Sequence, residues 1–338
     1  AIRALDKILD YGYETQPLNA NRTCIDDWRS VGLGVLGLAD ALVAMRLRYG
    51  SPEANEFTAK VLKIIFLEAS HENTLMAKEY GTFGKYDFEK TDKSPLVAMI
   101  KEEAPETYEN IKKYGFRNGT LLSIAPTGTI SLLLGALTGG CEPIYQICYE
   151  RTSHKMEDAG KTFRVYARTI NDMLKHFGLD DLSAEEIKKR FPWVIESHDV
   201  PYTDRVALQS AMQKFVDNSI SSTVNYKHEA TPEDIFNIYI DAWKSGCKGI
   251  TVFRDGCKRG NILGVDKKNK KDEKQDEIKY DSIHPVKRAK VPSVDGSTMV
   301  RKTACVDKMY ITVNHTPEKA VFEIFTNASG GCQSNIAT

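Results

Sequence analysis

The sequence has 338 residues, of which 41% are hydrophobic, so it can bury a sizeable core and is not disordered throughout. Lysine plus arginine number 46 and aspartate plus glutamate also number 46, and this zero net charge gives no electrostatic support for a nucleic-acid or membrane-surface protein. No apolar run approaches the ~20 residues that span a bilayer, and the first residues lack a signal-peptide pattern. The seven cysteines include no CxxC pair, which argues against a disulfide scaffold or a zinc cage and favours a reduced, cytoplasmic setting.

The chain starts inside a predicted amphipathic helix, with Ile2, Leu5, Ile8 and Leu9 on one face. Helices seldom begin in the middle of an apolar stripe at a natural terminus, so we expect a piece of a longer polypeptide. Removal of an initiator methionine, or truncation for expression, is the alternative.

Three further helices carry clear N-terminal signals. Ser51-Pro52-Glu53 supplies an N-cap, a proline in the first turn and an acid near the positive helix end, and Gly81 ends that helix. A capping box at Ser183 begins a shorter helix. Thr231-Pro232-Glu233-Asp234 opens another helix with apolar residues at helical spacing, and Gly246 ends it.

Short apolar strands interleave with these helices, which predicts an α/β fold with an appended β-rich tail. The candidate strands are Thr120–Ala125, Ile220–Val224, Gly249–Phe253, Met309–Val313 and Val321–Phe325. Composition predicts three regions: an α/β part over residues 1–262, a charged linker over 263–294 that cannot bury a core, and a small β-rich module over 295–338.

The spacing Gly32-x-Gly34-x-x-Gly37 matches a dinucleotide-binding fingerprint. That loop needs a buried strand before it, and residues 24–30 are too polar for one, while residues 38–44 continue as a helix. A role in close helix packing is therefore favoured over a cofactor role. The sequence has no GxxxxGK[ST] motif for nucleoside triphosphate cleavage.

A better candidate site follows the strand that ends at Ala125. A strand that runs into a Gly/Ser/Thr-rich turn opening a helix presents free backbone N–H groups and hydroxyls, which bind phosphate without a lysine. An ordinary helix cap is the alternative, and spacing alone does not separate the two. The candidate residues are Pro126, Thr127, Gly128, Thr129, Ile130 and Ser131.

Other polar segments have weaker signals. The strand Asp217–Asn225 carries amides and hydroxyls that need partners if they point inward, although an exposed edge strand is the alternative. Arg254 and Asp255 follow a predicted strand, where α/β folds place active sites, but an Arg–Asp pair bracing a turn is common. His71, His154 and His198 lack consistent ligand spacing and are treated as structural or solvated, so no metal site is predicted.

Taken together, these segments resemble the C-terminal half of the large, catalytic chain of ribonucleotide reductases, in particular the adenosylcobalamin-dependent kind. The resemblance is carried by Val31–Asp40, Ser123–Ser131, Gly140–Pro143, Asp217–Asn225 and Ala242–Gly256, in this order, and more weakly by Thr303–Asp307 in the tail. In that tail signature, Ala304 and Val306 replace the usual serine and proline.

The resemblance implies that residues 1–262 form the second part of a ten-stranded α/β barrel. It implies that Pro126–Ser131 bind the diphosphate or triphosphate of a ribonucleotide, whose 2′-hydroxyl is replaced by hydrogen through radical chemistry for DNA synthesis. It also implies an adenosylcobalamin cofactor, a thioredoxin-type reductant, and association with the N-terminal remainder of the enzyme or with another copy.

The sequence departs from the family in two ways. The loop that carries the thiyl-radical cysteine is expected upstream of Ala1, so no catalytic residue is assigned and this chain alone should not turn over substrate. Iron-dependent relatives carry a tyrosine pair where this chain reads Thr251-Val-Phe253-Arg254, which favours a locally generated radical. Cys305 and Cys332 are candidates for re-reducing an active-site disulfide, although structural cysteines are favoured.

Two other functions stay open. One is an inactive half that binds nucleotide and needs a separately encoded N-terminal half. The other is a structural or interaction protein on a degenerate barrel half, which predicts no nucleotide affinity.

Overall fold

The computed structural model describes residues 1–135, 137–152, 162–256, 295–301, 309–315 and 321–328. The chain divides into two compact units, Ala1–Val265 and Asp266–Thr338. Cys305, Cys332 and the whole of the predicted linker lie outside the described residues.

The first unit mixes helices with short strands. Its helices are α1 (Ile2–Thr15), α2 (Asn19–Trp28), α3 (Leu38–Ala44), α4 (Pro52–Tyr80), α5 (Phe88–Thr91), α6 (Pro95–Glu103), α7 (Pro105–Tyr114), α8 (Gly128–Leu133), α9 (Arg168–His176), α10 (Ala184–Arg190), α11 (Tyr202–Gln213) and α12 (Pro232–Lys244), with a short 3-10 turn at Ser197–Asp199. Its strands are β1 (Cys148–Thr152), β2 (Thr162–Tyr166), β3 (Thr223–Tyr226) and β4 (Thr251–Arg254). The α/β prediction is confirmed for this unit.

The helix starts follow the local signals in the sequence. The Ser51 hydroxyl accepts the Ala54 N–H at 3.2 Å, and α4 then runs to Gly81. Capping boxes at Ser183 and Thr231 begin α10 and α12. The predicted N-terminal helix is confirmed as α1, and of the apolar residues on its one face Ile2 is buried while Ile8 is 63% exposed.

Two extended segments, residues 31–33 and 121–124, continue the pairing of β3 and β4. Leu33 bridges Leu122 and Ile124 bridges Ile220, both in the parallel sense, and β3 pairs with β4 in parallel. The spatial order is therefore 31–33, 121–124, 220–226, 251–254. The long helix α4 packs against α1, α7 and α11, and its inward side chains lie in the main hydrophobic core.

The strand predicted over Thr120–Ala125 forms only these isolated bridges. The reason is the Asp217 carboxylate, which accepts the Leu121 N–H at 2.6 Å and the Leu122 N–H at 2.7 Å. Amides bonded to this side chain are not available to a neighbouring strand. Nearby, the Ser221 N–H donates to the Ile124 carbonyl at 2.8 Å, so the polar strand after Asp217 lies inside the sheet and its inward groups find partners.

Antiparallel strands make up the described part of the second unit. They are β5 (Asp295–Arg301), β6 (Met309–His315) and β7 (Val321–Ala328), in the spatial order β5-β6-β7. The two strands predicted for the tail are confirmed as β6 and β7, each longer than predicted. None of the helices in the described ranges has the length and apolar character that a bilayer crossing requires.

Candidate functional site

The candidate turn lies at the carboxyl edge of the parallel segments. Because parallel strands all point the same way, the residues after Leu33, Ile124, Tyr226 and Arg254 reach one edge of the sheet. Pro126–Ser131 follow directly after the second extended segment at this edge. In open α/β sheets, this is the edge at which ligands bind.

Thr127 gives the turn its shape. It is the N-cap of α8 and adopts a left-handed conformation, with φ 49° and ψ 26°. A β-branched residue is rarely found there, and such a conformation costs about 1–3 kcal/mol unless its surroundings impose it. Strained residues of this kind concentrate at functional sites and ligand clamps.

A glycine pair thirteen residues along the chain imposes this conformation. The Gly140 N–H donates to the Thr127 hydroxyl at 2.8 Å. A Cβ on Gly139 would lie 2.3 Å from the Pro126 carbonyl oxygen, and a Cβ on Gly140 would lie 2.4 Å from that of Ala125. Only glycines allow the two backbones to approach so closely.

The first amides of α8 are open. Within the described residues, the N–H groups of Gly128, Thr129 and Ile130 have no hydrogen-bond acceptor, and the Thr127 hydroxyl does not cap them because it already accepts from Gly140. All three residues are exposed, and a Cβ on Gly128 would meet nothing within 4 Å. The buried Ser131 donates its hydroxyl to the Gly128 carbonyl at 2.9 Å, which braces the turn from the inside. Such open N–H groups favour an anion.

The glycines of this motif have packing roles, but the predicted packing of helices is wrong: Gly32 and Gly34 lie against the extended segment at Ser123, and Gly37 lies against the Leu137 side chain. A Cβ on Gly34 would lie 2.4 Å from the Ser123 carbonyl oxygen. Gly37 has φ 74° and is the N-cap of α3, and its N–H donates to the Thr138 carbonyl at 2.7 Å. The contacts of Gly32 and Gly34 pack the first extended segment against the second. The motif therefore has a structural role.

A second polar cluster at this edge joins Asp255, which the sequence indicated, to His198, which the sequence analysis treated as structural or solvated. The Asp255 carboxylate lies 3.9 Å from the His198 ring nitrogen Nδ1, and Tyr145 packs edge-on against that ring at 5.7 Å between centroids. Arg254 does not pair with Asp255 within the described residues: it donates to the His228 carbonyl at 2.9 Å. The position of Asp255 directly after β4 was the available signal, but its partner lies far away in the sequence.

Three of the four described cysteines are poorly suited to thiolate chemistry. Burial raises the pKa of Cys141 to about 12 and also raises the pKa values of Cys148 and Cys247, so these groups stay protonated at neutral pH. Cys24 is exposed on α2, and all four of these cysteines are free thiols. In the described part of the chain, no group of three or more His, Cys, Asp or Glu side chains is placed to hold a metal ion.

The chain matches one known protein family over most of its length. The family model for the ribonucleotide reductase barrel domain matches residues 1–253. The chain belongs to this family. A vitamin B12-dependent ribonucleoside-diphosphate reductase from Thermoplasma acidophilum is 29% identical over 306 residues, and one from Mycobacterium tuberculosis is 30% identical over 283 residues.

These matches cover 87% and 78% of this chain but only 37% and 36% of the two relatives, so the chain spans a little over a third of their length. Among solved structures, the class Id ribonucleotide reductase alpha subunit of Actinobacillus ureae aligns with a TM-score of 0.55 at 18% identity. That alignment covers 74% of this chain and 44% of the subunit, and it supports the α/β fold.

Proposed function

We propose that this chain supplies the substrate-phosphate site of a ribonucleoside-diphosphate or -triphosphate reductase, which reduces ribonucleotides to 2′-deoxyribonucleotides for DNA synthesis. The observation that carries the proposal is the row of open N–H groups at Gly128, Thr129 and Ile130, exposed at the carboxyl edge of the sheet. The turn that carries them is held in a costly conformation.

The chemistry of the turn suits a phosphate group. Backbone N–H groups at a helix start donate to anionic oxygens, and hydrogen bonds to a charged partner contribute more than neutral ones. The Thr129 hydroxyl, which has no partner within the described residues, adds a donor on the exposed side of the turn. A diphosphate has enough oxygens to use all of these donors at once.

The proposal extends to the domain architecture. Residues 1–262 would form the C-terminal part of a ten-stranded barrel, with a charged linker over 263–294 and a small module over 295–338. The N-terminal remainder of the enzyme, or a second copy, would complete the site and supply the radical-bearing cysteine. A thioredoxin-type reductant would restore the enzyme after turnover, and Cys305 and Cys332 remain candidates for that exchange.

Adenosylcobalamin belongs to the proposal because both relatives above are named as vitamin B12-dependent. When bound, it supplies the radical that starts ribose reduction. The side chains of Ile130, Leu132 and Leu133 are 55%, 68% and 83% exposed beside the turn, and exposed apolar side chains of this kind mark a contact surface, which we assign to the macrocycle. These three side chains would lie against it, while the N–H groups of the turn hold the substrate phosphates.

Calorimetric titration of the full chain tests the phosphate site. A nucleoside diphosphate and inorganic pyrophosphate should both bind, whereas the corresponding nucleoside should not. Thr129→Val should weaken binding without changing thermal stability, because no described residue bonds to its hydroxyl, and Thr129→Ser should retain the affinity of the wild type. Equal affinity for the nucleoside and the nucleoside diphosphate would refute the proposal. If neither ligand binds, the alternative of a structural or interaction protein is favoured.

A further inference from the structure

A largely buried ion cluster lies behind the candidate turn, with Arg205 and Tyr49 buried and the Glu142 side chain 24% exposed. The Arg205 guanidinium on α11 is 3% exposed and donates to three groups: the Tyr49 hydroxyl at 2.7 Å, the Glu142 carboxylate, and the Thr223 carbonyl at 2.5 Å. The other carboxylate oxygen of Glu142 accepts the Thr223 N–H at 2.9 Å. Arg205 and Glu142 therefore hold the first residue of β3 through both of its backbone groups.

This cluster connects directly to the turn. The Tyr49 hydroxyl donates to the Cys141 carbonyl, which lies next to the glycine pair. Gly140 in turn donates its N–H to the Thr127 hydroxyl at 2.8 Å. Two hydrogen bonds thus lead from Arg205 through Tyr49 to the Cys141 carbonyl, and the backbone of residues 140–141 joins them to the bond that holds Thr127.

Such a cluster is not an efficient source of stability. Burying ions carries a desolvation cost that their attraction offsets only when the geometry is very good, and an apolar replacement of similar volume is often as stable. Strain at Thr127 also persists only where the surroundings over-determine it. A buried, branched network fixed to both β3 and residues 140–142 provides that constraint.

We propose that Arg205, Glu142 and Tyr49 are positioning residues that hold Thr127 in its left-handed conformation, and so aim the open N–H groups of α8 at the substrate phosphates. This inference rests on the proposed function for its ligand. The positioning itself can be measured without any ligand, because the Gly140 N–H reports whether its bond to Thr127 persists.

The test compares Tyr49→Phe with Tyr202→Phe in the full chain. Tyr202 is a matched control, since its hydroxyl donates to Asp241 at 3.2 Å and makes no bond toward the turn. Titrated with inorganic pyrophosphate, Tyr49→Phe should bind about tenfold more weakly, whereas Tyr202→Phe should bind like the wild type. Hydrogen exchange at the Gly140 amide should accelerate only in Tyr49→Phe.

Repeating the comparison in a protein that carries Thr127→Gly separates positioning from general destabilisation. Glycine adopts the left-handed conformation without the penalty that threonine meets, so the Thr127→Gly variant does not need the buried ion cluster to hold its turn. In that background, Tyr49→Phe should change pyrophosphate affinity less than about twofold. If Tyr49→Phe folds poorly, Glu142→Gln serves the same comparison.

An equal loss of affinity in both backgrounds, or unchanged exchange at Gly140, would overturn the positioning role. Failure of the wild type to bind pyrophosphate would instead refute the phosphate site. Faster exchange at Gly140 in Tyr49→Phe would still support the role of the ion cluster in holding Thr127.

Discussion

Gly139→Ala is the substitution whose effect follows most directly from the geometry. The added Cβ would lie 2.3 Å from the Pro126 carbonyl oxygen, and the glycine has no left-handed φ that would strain an alanine for another reason. Ordinary contacts of this kind are roughly 3.3 Å or longer, so the two backbones must separate by about 1 Å. Neither backbone segment can rotate out of the contact as a flexible side chain would.

The expected cost combines stability and binding. Overpacking of this kind typically costs about 1–3 kcal/mol, and contact between two backbones favours the upper part of that range. A displacement of about 1 Å also lengthens the bond from Gly140 to Thr127 beyond hydrogen-bond distance. We therefore expect pyrophosphate affinity to fall at least about tenfold.

Gly128→Ala provides the matched control for stability. The same methyl group there meets nothing within 4 Å and sits at the first position of α8, so stability should be unchanged or rise by about 0.5 kcal/mol. Urea denaturation measures the stability of both variants, and calorimetry measures their affinity for pyrophosphate. If Gly139→Ala matches the wild type in both assays, the close approach of Gly139 to Pro126 is not a feature of the molecule.

Three further predictions test the described structure. Ser51→Ala should destabilise the protein by about 1 kcal/mol in urea denaturation, whereas Ser94→Ala, whose side chain caps no amide, should cost only a few tenths. Burial opposes ionisation of Asp6, but the hydrogen bonds and positive charges around its carboxylate, led by the hydrogen bond from Arg29, together outweigh burial and lower the pKa of Asp6. The stability that this provides is present above about pH 4 and is lost as pH falls through the folded pKa, so Asp6→Asn should remove that pH dependence. Cys141, whose pKa is about 12, should resist iodoacetamide at pH 8 until the protein unfolds, as peptide mapping would show.

Helix starts could be predicted from the sequence because their physics is local. The boxes at Ser183 and Thr231 join residues three apart, so the residues themselves specify the bond. The strand around Leu122 was harder to predict. Its amides bond to the Asp217 carboxylate, which lies 95 residues further along the chain, and no local pattern reports that contact.

The candidate turn could be identified from its composition, but the contacts that hold its conformation could not. Its Gly/Ser/Thr content indicated open amides, and the structure places such amides there. The left-handed Thr127 depends on Gly139 and Gly140, which only the tertiary fold brings beside it. The same applies to the buried Arg205, whose partners come from three separate segments of the chain.

The central claim is that the N–H groups at the start of α8 hold the phosphates of a ribonucleotide. The most direct measurement follows the backbone amide resonances of the full chain by NMR as a ribonucleoside diphosphate is added. The account predicts saturable shifts centred on Gly128, Thr129 and Ile130, reproduced by pyrophosphate and absent with the nucleoside. Shifts confined to other residues, or none at saturating diphosphate, would contradict it.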